Sequence, residues 1–288
     1  MAVSIREFNK KIVSLKNTRK MTKTMKMVSA SKFKRAWRQQ GNAQIYAERL
    51  TGLMGRLSSS DSQHPLMKTK KLNKNALVVL FTSDKGLCGG FNNNLIRAVR
   101  RWALENPHKF TKLDYSFCGR RGYMAFRRSV TVKTHYESIT AKPNFNDVLK
   151  LAADLTESFL KDEYDEVYLA YNHFNSPMSQ EPRIEKILPL STAGVGKSEQ
   201  KAKGDYEYEP EESELFNFLV PKYLNFRIYF TLLENAAGEH GARMTAMDKA
   251  SQNTSDLIDR YILLRNRARQ ASITTELIEI ISGAEALK

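Results

Sequence analysis

The sequence contains no apolar run that could cross a membrane. The longest uninterrupted one, residues 76–81, falls far short of the roughly 20 residues that a bilayer span requires. The first residues, MAVSIREFNKK, also lack the apolar stretch that a signal peptide needs. From these two features we expect a soluble chain that is not secreted.

Cysteine is scarce as well. The 288 residues include only Cys88 and Cys118, and neither has another cysteine or a histidine near it at the spacing of a metal site. We interpret both as reduced small residues of the core or of loops, and not as a disulfide or metal site. Ser, His and Asp residues and paired carboxylates gather nowhere in a catalytic pattern. The sequence therefore predicts no catalytic residue, no metal and no cofactor.

Acidic residues are scarce in only one part of the chain. The net charge is +15, and residues 1–58 alone hold fourteen Lys or Arg against two Glu, whereas residues 214–288 hold nine basic and nine acidic residues. The excess positive charge therefore belongs to the N-terminal end. It is typical either of a solvated helix face or of a surface that meets an acidic partner, a nucleic acid or an acidic protein.

Proline, which ends helices, is absent from two long stretches. Residues 4–58 predict one helix that ends in the linker SSSDSQHP, and the stretch from Lys222 onward predicts a second helix with a heptad pattern. The apolar positions of the first helix are Ile5, Phe8, Ile12, Leu15, Met21, Met25 and Val28. The heptad positions of the second are Leu219, Tyr223, Phe226, Phe230, Leu233, Ala237, His240, Met244, Met247, Ser251, Thr254, Ile258 and Tyr261.

The second helix needs a partner for its apolar stripe. It would run to about Ser282 and be on the order of 90 Å long, far more than one globular domain requires. The N-terminal helix is the only other long one predicted, so we expect the two to pair as an antiparallel coiled coil. Small and polar residues occupy the middle of the seam. We interpret one of them, His240, as a hydrogen-bonded residue that fixes the register and not as a metal ligand or catalytic group.

Strand-like runs alternate with amphipathic stretches between the two helices. The runs, within residues 77–190, are ALVVLF, LDYSFC, EVYLAY and RIEKILPL. This alternation predicts a Rossmann-like α/β domain with a mostly parallel sheet, inserted between the N- and C-terminal helices. The predicted domains are an N-terminal helix (1–58), an α/β domain (75–208) and a C-terminal helix that pairs with the first (210–288).

Two glycine-rich turns raise the question of a phosphate site. SDKGLCGGFNNN, residues 83–94, lies where a strand meets a helix, but its glycines lack the G-x-G-x-x-G spacing, so we interpret it as a tight turn. STAGVGKSEQ, residues 191–200, ends like a Walker A loop, yet Ser191 stands where the first glycine belongs and a polar loop follows. A nucleotide-dependent enzyme stays open as an alternative.

Three segments resemble the signature segments of the gamma subunit of F-type ATP synthase. They are IREFNKKIVSLKNTRKMTKTMKMVSASKFKRA, SDKGLCGGFN and RARQASITTELIEIISGAEAL, and with EHGARMTAM the resemblance covers essentially the whole chain. It implies that the two long helices form the central rotor shaft and that the α/β domain is its foot. The shaft would couple proton-driven rotation of the c-ring to ATP synthesis or hydrolysis at the beta subunits. A basic coiled-coil nucleic-acid-binding protein remains the alternative.

The resemblance also implies the surroundings of the chain. Its partners would be three alpha and three beta subunits, the epsilon subunit and the c-ring, with no nucleic acid. The chain would be a non-catalytic subunit that reaches the membrane only through the c-ring. Because it starts on the signature helix without a transit peptide and lacks the regulatory insertion of chloroplast forms, we expect it at the cytoplasmic face of a bacterial inner membrane.

Particular residues of this sequence match contact residues of the family. The residues implied to meet the beta lever are Lys23, Met25, Lys26, Lys85, Gly86 and Cys88. Those implied to meet the beta catch loops are Arg243, Gln270, Thr274 and Glu276. Lys26 and Lys85 depart from the family pattern, in which Glu and Arg often stand at these two positions.

Overall fold

Two long helices and a five-stranded sheet make up most of the described chain. The computed structural model describes residues 5–57, 64–69, 75–191 and 211–286. The helices are α1 (Ile5–Leu57), α2 (Phe91–Glu105), α3 (Arg120–Phe126), α4 (Phe145–Leu160) and α5 (Glu212–Ala286), with a 3-10 turn at Pro65–Met67. The strands are β1 (Asn75–Phe81), β2 (Lys112–Cys118), β3 (Val132–Tyr136), β4 (Glu166–Ser176) and β5 (Ser179–Leu188). None of the described helices is long and apolar enough to span a bilayer.

The chain divides into two compact units, and both long helices contribute to each. The smaller unit comprises residues 1–29 and 244–288, and the larger comprises residues 30–243. The predicted domain limits follow the helix ends instead and stay a prediction. The first six residues of the predicted linker SSSDSQHP, 58–63, and the Walker-like segment beyond Ser191 lie outside the described residues.

The sheet of the larger unit is mostly parallel. Its strand order is β3-β2-β1-β4-β5, and only the β4–β5 hairpin is antiparallel. This arrangement confirms the predicted Rossmann-like fold class. The sequence pattern predicts neither β3 nor α3. The strand escaped because it is a short, half-buried edge strand that includes Lys133 and His135 and therefore offers no apolar run.

Hydrophobic cores cover both faces of the sheet. Alternate residues of β1 point to opposite faces, with Leu77, Val79 and Phe81 in one core and Ala76, Val78 and Leu80 in the other. Helix α4 and the first part of α5 cover the first face, and α2 and α3 cover the second. Burial on both faces explains why β1 appears in the sequence as a continuous apolar run.

The first part of α5 packs against the sheet with a stripe that the sequence analysis did not predict. The fully buried residues recur every fourth position: Phe216, Val220, Leu224, Ile228 and Leu232. The predicted heptad positions Leu219 and Tyr223 are only partly buried. The prediction was off by one position here because a repeat of four, facing a sheet, replaces the heptad that faces a single helix.

In the smaller unit the two helices pair antiparallel. Contact residues with higher numbers on α1 meet residues with lower numbers on α5. The rings of Phe8 and Tyr261 lie 6.3 Å apart, and Lys26 Nζ lies 2.6 Å from an Asp248 carboxylate oxygen. Between them, Arg19 donates a hydrogen bond to Ser255 Oγ. The predicted antiparallel coiled coil is therefore confirmed.

The seam of this pair is more polar than the sequence indicated. Thr254 of α5, a predicted heptad position, is buried as expected. On α1, Thr22 and Ser29 are also buried, whereas the predicted apolar positions Met21 and Val28 are 59% and 51% exposed. The assignment was wrong because we expected apolar residues to mark the interface. The small hydroxyl-bearing side chains let the helices approach, and some of the larger apolar ones, such as Met21 and Val28, face outward.

Candidate functional site

The glycine-rich loop between β1 and α2 is held by its own polar side chains. The Ser83 N–H donates to Asn92 Oδ1 at 2.9 Å, and the Ser83 hydroxyl donates to the Lys85 carbonyl at 2.6 Å. The Asn92 amide group in turn donates to Ser83 Oγ and to Cys88 Sγ. All of Ser83, Cys88 and Asn92 are buried. The loop therefore has an internal network that fixes its shape.

A guanidinium from α5 lies against this loop. Arg243 donates from Nη2 to the carbonyls of Lys85 and Gly86, at 3.3 and 3.2 Å, and from Nε to the Gly86 carbonyl. A phosphate cradle turns backbone N–H groups toward an anion. Here the loop turns carbonyl oxygens toward a cation, which is the opposite polarity. The loop is built to hold a helix and not a phosphate at this point.

The charge of Arg243 is balanced inside the larger unit. Its Nη2 lies 2.7 Å from Glu239 one helical turn away, and both side chains are largely buried. Burial raises the pKa of the Glu239 carboxyl, and the neighbouring Arg243 opposes that rise. The ion pair and the loop carbonyls together satisfy the guanidinium. Removing any one partner would leave a buried group without compensation.

His240 lies beside Arg243, with its Nδ1 3.4 Å from Nη1 of the guanidinium. Burial, assisted by Arg243 and Lys32, lowers the pKa of the imidazole to about 4. The ring is therefore neutral at pH 7. Across the described residues no cluster of three or more His, Cys, Asp or Glu side chains could hold a metal ion. The geometry supports the interpretation of His240 as a structural residue.

The outer surface of the loop includes Lys85, a predicted contact residue, and Leu87, which was not predicted. Leu87 is 62% exposed and has a φ of 63°, a left-handed conformation that costs a non-glycine residue roughly 1–2 kcal/mol. Lys85 is exposed beside it, whereas Cys88 is only 2% exposed. Burial raises the pKa of the Cys88 thiol. Of the three loop residues predicted to meet a partner, Cys88 thus lies behind the surface.

The predicted contact residues of the smaller unit lie at or near its surface. Lys23 is exposed, and Met25 and Lys26 are half-buried, with Lys26 paired to Asp248. Exposed apolar side chains accompany the basic residues of this part of α1: Val13, Met21, Met27 and Val28. The helix surface there is both basic and apolar, as a surface that meets another protein would be.

The three predicted catch-loop residues near the end of α5 are all exposed. The Thr274 hydroxyl donates to the Gln270 carbonyl, and Glu276 accepts from Ser272, so both hydrogen bonds stay within one turn of the helix. The same stretch exposes several large apolar side chains: Ile273, Leu277, Ile278, Ile280 and Ile281.

The structure brings Lys85, Gly86, Cys88 and Arg243 together in one place, although the sequence analysis had assigned them to two different contacts. It also reveals Asn92 and Glu239, which that analysis missed. The i, i+4 spacing of Glu239 and Arg243 on a helix was a usable signal for their pairing. Nothing in the sequence pattern could reveal that Asn92 folds back onto Ser83.

These features define a class of protein in which two long helices pair antiparallel. A segment with a Rossmann-like sheet lies between them along the chain. The family profile described as ATP synthase matches residues 4–287. The ATP synthase gamma chains of Geobacter sp. (strain M21) and Geotalea uraniireducens (strain Rf4) are 43% and 44% identical to this chain, each over 287 residues and 99% of both chains. The chain belongs to the ATP synthase gamma chain family.

Solved structures agree with this assignment. A central-stalk chain of the Tetrahymena thermophila mitochondrial ATP synthase is 27% identical, with a TM-score of 0.59 over 80% of this chain and 99% of that one. A rotor chain of the Euglena gracilis enzyme has a TM-score of 0.63 over 93% and 98% of the two chains, and at 20% identity it supports the fold alone. The predicted family is confirmed, and the nucleic-acid-binding alternative is not supported.

Proposed function

We propose that the chain is the rotor shaft of an F-type ATP synthase, which couples proton-driven rotation of a c-ring to conformational change at beta-subunit catalytic sites. Full-length similarity to ATP synthase gamma chains supports this role. So does the polar seam of the smaller unit, because side chains such as Thr22 and Thr254 leave the outer faces to carry the contacts with partners.

The chain has no catalytic site of its own in this proposal. The observation that carries this point is the polarity of the glycine-rich loop, whose Lys85 and Gly86 carbonyls accept hydrogen bonds from Arg243. At these two residues the loop accepts hydrogen bonds from a cation, whereas a phosphate would need backbone N–H donors. In this proposal the glycine-rich turn makes a contact that transmits force, and catalysis takes place in the beta subunits.

The proposed partners are three alpha and three beta subunits, the epsilon subunit and the c-ring, at the cytoplasmic face of a bacterial inner membrane. The proposed contacts with the beta lever are made by Lys23, Met25 and Lys26 on α1 and by Lys85 and Gly86 on the loop, with Cys88 supporting the loop from behind. The exposed residues Gln270, Thr274 and Glu276 meet the beta catch loops. Arg243 acts there by holding the loop and α5 together.

Rotation of the chain inside a reconstituted complex tests this function directly. Leu104, at the end of α2, is 79% exposed, so Leu104→Cys offers a single reactive thiol while Cys88 and Cys118 are buried. A bead attached there should turn in one direction when surface-fixed alpha and beta subunits hydrolyse ATP. Normal hydrolysis by a fully assembled complex with a stationary bead would overturn the proposal.

A further inference from the structure

A cavity of about 280 Å³ in the larger unit is lined by basic residues from distant parts of the sequence. Lys32 and Arg35 line it from α1, and Lys142 lines it from the segment that precedes α4. We call this cavity the basic pocket. No Asp or Glu is among its lining residues.

The three cations have no counter-ion of their own. Within the described residues, Lys32, Arg35 and Lys142 take part in no ion pair or hydrogen bond. The buried carboxylate of Glu239 interacts electrostatically with Lys32, but it is already paired with Arg243. Like charges that converge without a partner repel each other, and an anion placed among them would relieve that repulsion.

The other residues that line the basic pocket are uncharged, and some are polar and some apolar. Gln39 and His240 contribute amide and imidazole groups, and Ala36, Leu233 and Ala236 form apolar walls. His240 is neutral at pH 7, and its Nδ1 faces the donor Nη1 of Arg243. The ring proton therefore belongs on Nε2, so Nδ1 accepts from Arg243 and Nε2 is left as a hydrogen-bond donor.

We propose that the basic pocket binds a phosphate group. A phosphate carries a charge of about −1.5 to −2 at pH 7 and three strong acceptor oxygens, so it can meet three cations at once, whereas a carboxylate brings one charge and two oxygens. Arg35 supplies the planar fork that suits phosphate oxygens. The cavity lies just below the roughly 300–1,000 Å³ of sites for larger ligands, so it suits free inorganic phosphate or the end of a phosphate ester.

This site goes beyond the proposed function, which gives the chain no ligand. Its three basic residues are not among the proposed contacts with the beta subunits. Calorimetric titration of the full chain with inorganic phosphate, at constant ionic strength set with sodium chloride, tests it. Saturable one-to-one binding is the expected result. Arg35→Gln and Lys142→Gln should each weaken binding roughly 10-fold or more, since each removes a charge-assisted hydrogen bond.

Lys34→Gln is the matched control, because Lys34 is exposed on the same helical turn but does not line the cavity. It should change the dissociation constant less than about 2-fold. A second readout is the melting temperature, which phosphate should raise in the wild type and in Lys34→Gln but not in Arg35→Gln. Titration with ATP separates the sources: weaker binding than phosphate identifies the free ion, and tighter binding a phosphate ester.

Two results would overturn the proposal. One is the absence of both saturable heat and thermal stabilisation in the wild-type chain. The other is equal weakening by Lys34→Gln and Arg35→Gln, which would mean that phosphate merely screens a basic surface. Neither result would bear on rotation of the bead in the assembled complex, so failure here is distinguishable from failure of the proposed function.

Discussion

The Nδ1 atom of His173 on β4 lies 2.7 Å from a carboxylate oxygen of Glu234 on α5. The Glu234 side chain is only 3% exposed, and burial raises the pKa of its carboxyl while His173 opposes the rise. An ion pair between Glu185 and Arg227 joins β5 to the same helix. The two pairs hold the β4–β5 hairpin against α5, so a force applied to the helix reaches the sheet through them.

Replacing Glu234 with Gln tests how much the first pair contributes. Glu234→Gln keeps the shape but removes the charge that faces His173, so the free energy of unfolding should fall by about 1–3 kcal/mol at pH 7. Urea denaturation measures this change. Glu181→Gln, which alters an exposed pair on the same hairpin, is the control and should cost under about 1 kcal/mol. Equal losses in the two variants would contradict the prediction.

The Glu239–Arg243 pair should behave as a unit. Arg243→Gln leaves the buried Glu239 without its cation and frees the loop carbonyls, so we expect a loss of about 3–5 kcal/mol in the free energy of unfolding. The double variant Glu239→Gln/Arg243→Gln buries no uncompensated charge and should lose less than Arg243→Gln alone. Arg260→Gln, at an exposed position of α5, should stay within about 0.5 kcal/mol of the wild type. A double variant no more stable than Arg243→Gln would refute the coupling.

His240 should make the protein less stable in mild acid. Its folded-state pKa of about 4 lies below the ordinary 6.5, so between these values the unfolded chain takes up a proton that the folded chain does not. Stability is therefore lost as pH falls through 6.5 toward 4. Allowing for partial exposure of the ring, we expect this residue to account for about 1–2 kcal/mol between pH 7.5 and pH 5.

The variant His240→Gln isolates that contribution. Glu234 and Glu239 act in the opposite direction, because their raised pKa values make the folded chain bind protons more tightly as pH falls. The comparison is therefore between variants and not between pH values alone. His240→Gln should flatten the loss measured by urea denaturation at the two pH values, and His108→Gln, at an exposed position, should not. A parallel pH profile in all three proteins would rule out the assignment.

The architecture was predictable because the sequence patterns that indicate it extend over many residues. The absence of proline over residues 5–57 and the apolar runs of β1 and β4 each depend on many residues, so no single exception hides them. The seam was predictable at only some single positions, such as Ile258, which is buried as expected. Thr22 and Ser29 are buried where an apolar pattern selects Met21 and Val28, because a close helix contact favours small side chains over apolar ones.

The site was predictable only in part, for a related reason. Resemblance selects positions, such as Cys88 and Arg243, but it does not give the direction in which a side chain points. In the loop the left-handed conformation of Leu87 decides that direction, and it turns Leu87 outward while Cys88 faces the core. A backbone torsion of this kind depends on the hydrogen bonds around the loop, of which those from Arg243 come from a residue far away in the sequence.

Thiol labelling checks the orientation of the loop. Cys88 and Cys118 are both buried, and burial raises the pKa of each thiol, so in the folded chain both should react with a soluble disulfide reagent at least about 100-fold more slowly than a free thiol. Leu87→Cys, in a chain with Cys88→Ser and Cys118→Ser, should react nearly as fast as a free thiol. The same reagent added in urea is the control for complete labelling. Fast labelling of Cys88 in the native chain would mean that its thiol faces outward after all.

Lys23 and Lys26 should differ in what they do for the assembled complex. Lys26 is 41% exposed and paired with Asp248, whereas Lys23 is exposed and available to an acidic partner. Lys23→Glu replaces attraction with repulsion at the proposed lever contact, worth about 0.2–1 kcal/mol per pair, so assembly should survive. Coupling should suffer, and the ratio of ATP-driven proton pumping to ATP hydrolysis should fall.

A charge swap separates the two lysines. Lys26→Glu should also weaken the helix pair by repelling Asp248, and Lys26→Glu/Asp248→Lys should restore that pair and the melting temperature without restoring coupling. Lys150→Glu, at an exposed position of α4, is the charge-matched control. The coupling defect of Lys23→Glu should shrink at moderate salt, because salt screens exposed charges beyond about 10 Å at 0.1 M ionic strength. If Lys23→Glu complexes of normal composition keep the wild-type ratio at both salt concentrations, the basic end of α1 is a solvated face and not a contact with the lever.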